Sequence, residues 1–288
     1  MRTVLASLAL VFGLSFSLSA TPVKTGFGEV DISPDIGMER PGGYGKGYHQ
    51  AFHDPCKARA VVFDDGEKPV ALVGLDALIV VKPHVEEVRK RVAQETDITP
   101  EAIMVGASHS HSSGRTGMVQ QGDLDHADEL VREIVKEKPT EAKALNDWIW
   151  AKEIVILDAL IQKEPIRSVE VQTIQIGPAV FISNPAEYFC EFGLQQKEGS
   201  RFPFTWPVSL ANDCVGYVPT SEALGPNGGG YETRLTSYSN LVPEAGDQIR
   251  DTRIALANDM KPDAVPEPAP TAKFSAGWRY GDVPPELN

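Results

Sequence analysis

Arg59-Ala60-Val61-Val62-Phe63 and Val70-Ala71-Leu72-Val73-Gly74-Leu75 decide how this chain is read. Both runs are β-branched and apolar, and Asp64-Asp65-Gly66 between them is a tight hairpin signal. The periodicity then changes. Val81, Val85, Val88 and Val92 recur at helical spacing with charges between them, which predicts a helix packed on a sheet. Thr99-Pro100-Glu101 breaks the chain, and Ile103–Ala107 reads as a short buried strand running into Ser108-His109-Ser110-His111-Ser112-Ser113-Gly114.

Further along, Asp125–Lys138 reads as a helix ended by Pro139, and Asn146 as the N-cap of a second helix through Lys163. That second helix is apolar on most faces, so burial on several sides is expected. Val169 and Val171 alternate, and Ile174 and Ile176 alternate in the other phase, hinting at a bulge. Ala179–Ser183 reads as the return strand of a hairpin at Gly177-Pro178, with a helix over Tyr188–Lys197. Short strands over Pro207–Leu210 and Tyr217–Pro219 and a last helix over Glu244–Asn258 complete the pattern. Strands interleaved with helices predict an α/β (or α+β) fold of mixed sheets layered with helices.

The 288 residues carry 27 Lys and Arg against 40 Asp and Glu, a net charge of −13. That balance excludes nucleic acid and an anionic membrane as main partners, since both need clustered cations. Met1-Arg2, the apolar stretch Val4–Leu18 and the small residues Ser17-Leu18-Ser19-Ala20 form a signal-peptide pattern over residues 1–20. A secreted or periplasmic protein is therefore expected, with no integral membrane segment after signal removal. Residues 21–261 read as one domain, and 262–288 as a Pro-rich extended tail carrying Trp278 and Tyr280. Three cysteines, Cys56, Cys190 and Cys214, permit at most one internal bridge. With no Cys-x-x-Cys pair, neither a zinc ribbon nor a dithiol site is indicated.

The chemistry concentrates in His109-x-His111. In extended backbone, residues two apart face the same way, so both imidazoles can address one point. A solvent loop rich in Ser and His fits the same residues. Glu187 reads either as a functional carboxylate or as a charged turn residue heading the next helix, and Tyr217 equally as a half-buried strand aromatic. His53, before Asp54-Pro55, suits a turn, and His49 and His84 read as surface residues. Gly228-Gly229-Gly230 is no phosphate cradle, lacking a following Lys-Ser/Thr.

Six segments in order resemble the catalytic N-terminal domain of the neutral/alkaline, non-lysosomal ceramidase family. They are Gly26–Pro34, Gly43–Lys46 with His53-Asp54-Pro55, Ala107–Ser112, Asn184–Glu187, Leu210–Thr220 and Gly229–Glu232. Together they span about residues 25–120 and 168–258. The resemblance implies a zinc-dependent amidase holding one Zn²⁺, with His109, Glu187 and Tyr217 as ligands. It implies His111 as an orienting imidazole and Tyr231 as donor to the substrate oxygen. The implied reaction is attack of zinc-bound hydroxide on an amide carbonyl in a small-molecule or lipid, ceramide-like substrate.

One departure matters. The family's long interval before the Pro-x-Glu turn supplies a second His ligand, whereas here only Arg115–Arg167 fills it, and the family's C-terminal β-domain has no counterpart. His126, His111 or His53 completes the site, three ligands suffice, or catalysis has been lost. The competing readings are an inactive binding domain and a metal hydrolase of another ester or amide. Oligomeric state is left open.

Overall fold

A computed structural model describes residues 23–43, 46–116 and 142–268. The first sheet contains β1 (Lys24–Asp31), β2 (Lys57–Asp64), β3 (Val70–Leu75) and β4 (Ile103–Ala107), hydrogen-bonded in that order. The β1–β2 and β2–β3 pairs are antiparallel, while β3 and β4 are parallel and joined through helix α1 (Lys82–Glu95). The β2–β3 connection is longer than a two-residue turn. Asp65 Oδ1 accepts the N–H groups of Glu67 and Lys68, both at 2.9 Å, and Gly66 takes φ +90°.

α1 buries most of the stripe its valines predict, with Val85 in the core and Val92 packed beside it, but not Val88. Val85 and Arg89 face the sheet, while Val88 is exposed. Arg89 is tolerated inside because its guanidinium donates to the Ile103 carbonyl and pairs with Glu170 at 2.9 Å. Val85 packs with Ala71, Ile103 and Val105, burying one face of the sheet.

The second sheet contains β5 (Thr173–Ile176), β6 (Ala179–Asn184) and β8 (Phe204–Ser209), in that order. Val169 and Val171 precede it rather than forming strand. Pro207 is accommodated because β8 is an edge strand. This sheet covers the other face of the first through Met104, Ile174 and Ala211, with Leu72 and Phe181 packed around them. Beyond it lie helices α3 (Cys190–Gly199) and α4 (Ala245–Asp259), against which Val180 and Ile182 are fully buried. Burying each of these side chains contributes roughly 1.5–3 kcal/mol. The layers thus run helix, sheet, sheet, helices, the α/β arrangement expected.

Helix α2 spans Ala142–Lys163, so Asn146 lies inside it instead of capping it. The helix expected over 125–138 lies outside the described residues, as do residues 1–22 and 269–288. Tyr188 belongs to a two-residue strand, β7 (Glu187–Tyr188), paired in parallel with β9 (Tyr217–Val218), and the helix begins only at Cys190. Among the described residues, no helix is long and apolar enough to cross a membrane.

All three cysteines are free thiols. Cys56 is buried, and burial pushes the Cys214 thiol up to about 12, so neither forms thiolate at neutral pH. Alkylation of the native protein at pH 8 is expected to modify one thiol, the exposed Cys190, with the other two reacting only in denaturant. Peptide mapping of the adducts checks this, and fast labelling of Cys214 would contradict it.

Candidate active site

β3 and β4 are parallel, so the segments leaving their C-terminal ends emerge side by side. They are stitched together by Ser108 N–H to Leu75 O and Ser110 N–H to Ala77 O, both 2.9 Å. His109 takes a left-handed conformation, φ +62°, rather than the extended one its spacing suggests. Its ring consequently meets that of His111 edge-on, with centroids 5.0 Å apart.

The loop is held from below by three layers of contact. Ser113 Oγ–H donates to Ser110 O and accepts Leu78 N–H, at 2.9 and 3.1 Å. Cys56 Sγ–H donates to Ser112 O. His49, read from sequence as a surface residue, is buried, and its Nε2 lies 3.0 Å from the Ser113 carbonyl. Gly42 adds a steric constraint, because a Cβ there would stand 2.4 Å from His111 Nδ1.

Glu187 arrives from the second sheet. Asn184 anchors its turn: Asn184 Oδ1 accepts from the fully buried Arg253 at 2.8 Å and from Gln196 at 2.9 Å. The Arg253 guanidinium lies over the Tyr188 ring, and burial lowers its pKa to about 10. Glu187 N–H then donates to Gly216 O, placing Glu187 directly opposite Tyr217 in the β7–β9 register. Side chains opposite one another in such a pair share a face.

Five of the side chains singled out from sequence therefore gather in one place. His109 Nε2 lies 3.2 Å from Glu187 Oε2. The Tyr217 hydroxyl stands 3.0 Å from that of Tyr231, with the two rings edge-to-face, and Glu187 lies opposite Tyr217 in the register. Burial, and then the hydrogen bonds to Glu187 and Tyr231, push the Tyr217 phenol far above its ordinary range. His111 flanks His109. His53 does not join them; it is exposed and bonded to Asp54 at 2.7 Å. His126 lies outside the described residues.

Tautomer logic sharpens the geometry. The Leu78 carbonyl, 3.0 Å from His109 Nδ1, only accepts, so Nδ1 carries a proton. In a neutral ring Nε2 then presents a lone pair to a carboxylate oxygen 3.2 Å away. Two acceptors stay that close only with a positive centre between or beside them, either a proton on Nε2 or a metal ion. Two donors on one tetrahedral zinc stand roughly 3.3 Å apart. The donor set of imidazole, carboxylate and phenol thus suits a zinc-like cation, although among the described residues no three His, Cys, Asp or Glu side chains gather as a metal group.

Solved ceramidases share this fold. A structure described as a ceramidase complexed with C2 superposes with a TM-score of 0.55 at 11% identity, over 89% of this chain and 79% of that one. Neutral ceramidase from Pseudomonas aeruginosa gives 0.52 at 10% identity, over 90% of this chain and 79% of its own. No family model and no curated protein sequence matches. At such identity the likeness is one of fold.

Sequence reasoning missed the supports: the Leu78 carbonyl, Gly42, buried His49, and Tyr238, whose ring packs edge-on against Tyr217. Only Gly42 and His49 left any trace in the sequence, as a glycine and a histidine of no evident periodicity.

Proposed function

We propose that this protein is an exported hydrolase of the neutral-ceramidase kind, cleaving an amide bond in an N-acyl, ceramide-like substrate with the help of one zinc ion. The observation that carries the reading is the convergence of His109, Glu187 and Tyr217, an imidazole, a carboxylate and a phenol of the kind that hold a zinc-like cation. His109, Glu187 and Tyr217 would hold the ion. When bound, zinc supplies a Lewis acid and a water acidified to a pKa of about 7.

The chain's own residues do the rest. Half-exposed Tyr231 is free to turn its O–H toward a substrate carbonyl oxygen and stabilise the charge developing there. His111, exposed beside His109, is placed to orient the amide and pass a proton to the leaving amine. Leu78 O keeps the His109 tautomer fixed throughout.

A second reading, an inactive binding domain of the same fold, draws on the lack of a three-residue His, Cys, Asp or Glu group among the described residues. Native mass spectrometry with a panel of N-acyl amides and esters separates the two. The expected result is one zinc per chain, a mature N-terminus at Thr21, hydrolysis of an N-acyl amide, and loss of metal and turnover in His109→Ala. Substoichiometric zinc that His109→Ala leaves unchanged would sink the hydrolase. Turnover of esters with amides inert would move the substrate to another class.

A further inference from the structure

We propose that the buried guanidinium of Arg253 holds a small monovalent anion, of chloride size, behind the turn that carries Glu187. Arg253 lies in the buried stripe of α4 with Gly246, Ile249 and Ala257, and it is 0% exposed. One of its nitrogens is committed: Nη1 donates to Asn184 Oδ1 at 2.8 Å. Nε and Nη2 are buried and have no hydrogen-bond partner among the described residues. These two share one edge of the guanidinium, and their N–H bonds run parallel, forming the fork that grips an anion through two hydrogen bonds. Gln196 donates to the same Asn184 oxygen at 2.9 Å, and its own Oε1 is likewise buried without a partner.

The charge is as poorly matched as the donors. Arg89, also buried, shows the usual solution: Nη1 and Nη2 donate to the two oxygens of Glu170, at 3.0 and 2.9 Å, and Nε to Ile103 O. Arg253 is buried more deeply, yet among the described residues no carboxylate pairs with it. Asp247 and Asp251, on the same helix, both pair with Arg250. The Tyr188 phenol beside it donates to Gly246 O and stays neutral, because burial raises its pKa far above the ordinary range. The Tyr188 ring face offsets only part of the cost of taking a cation out of water. Arg253 nonetheless stays protonated at neutral pH, since burial lowers its pKa only to about 10.

Size and charge of the ligand follow from this. A single negative charge balances one guanidinium, whereas sulfate or a phosphate dianion would leave an excess of the other sign and carry a larger dehydration cost into an apolar layer. Water would satisfy the N–H groups but leave the charge uncompensated. A chloride between Nε and Nη2 meets both needs. Its place gives it a structural consequence, because Asn184 Oδ1, gripped by Arg253 and Gln196, anchors the turn whose Glu187 N–H bonds Gly216 O. Nothing in the proposal depends on zinc or on an amide substrate.

Halide titration of the full-length protein tests the proposal. At constant ionic strength, replacing gluconate with about 0.1 M chloride or bromide is expected to raise the thermal midpoint by at least about 3 °C. Crystals grown in bromide should show anomalous density between Nε and Nη2 of Arg253. Arg253→Met removes the charge at similar length and should abolish the halide response; should that variant not fold, the bromide density in the unmodified protein decides alone. Equal midpoints in chloride and gluconate overturn the proposal, as does an ordered water in place of bromide at the Arg253 fork. A halide response undiminished in Arg253→Met assigns the anion to another place and also overturns it.

Discussion

Gly216→Ala is expected to destabilise the fold by about 4 kcal/mol and to remove activity with it. Gly216 sits at φ +88°, and a Cβ built there would lie 2.1 Å from the Tyr238 carbonyl oxygen and 2.7 Å from its carbon. Both atoms are backbone, and Tyr238 O is already committed to Tyr217 N–H at 2.7 Å. The added methyl therefore has to push apart the pairing that places Tyr217, while Gly216 O, which receives Glu187 N–H, moves with it. Gly177→Ala separates strain from collision, since its φ is +56° but a Cβ there meets nothing within 4 Å. That variant should cost only about 1 kcal/mol. Urea midpoints for the two, read beside kcat/KM, check the claim. Equal midpoints would show that the contact with Tyr238 is not what fixes residue 216.

Glu187→Gln should do the opposite, keeping the fold and losing the function. A glutamine is isosteric, and its NH₂ can donate to the lone pair of His109 Nε2, so the close approach at 3.2 Å no longer needs a cation. The free energy of unfolding is expected to change by less than about 0.5 kcal/mol. Zinc affinity and amide hydrolysis are expected to fall by at least about 100-fold, more than for loss of a residue that merely supports a ligand. The phenol reports independently. Glu187 is one of the groups holding the Tyr217 phenol above its ordinary pKa, so removing that charge lets it fall, while burial continues to hold it up. Spectroscopic titration of tyrosinate follows this without substrate. Undiminished zinc in the variant would remove Glu187 from the ligand set.

The strands were legible because alternation and turn residues are local signals, and β2 through β4 and the β5–β6 hairpin follow them. α1 was legible as a helix and largely in its inward face, Val88 excepted. Arg89 displaces Val88 because two partners distant in sequence, Ile103 O and Glu170, satisfy its guanidinium. The members of the candidate site were legible as residues, whereas what orients them was not. His109 adopts positive φ, its tautomer is set by Leu78, 31 residues away, and Glu187 is aligned through Arg253, 69 residues from the Asn184 it grips. Such supports are main-chain atoms or long-range neighbours, and neither carries a pattern that periodicity can detect.

The acceptor on His109 Nδ1 is a main-chain oxygen, and this makes the ring's electronic polarity unusually hard to edit. Where an aspartate plays that part, one codon change abolishes the bond. Here any substitution at residue 78 keeps the oxygen, and only a shift of the whole strand exit can withdraw it. Proton placement in the cluster is in that sense inherited from topology, so variation at this position should first register as lost core packing and only afterwards as altered chemistry.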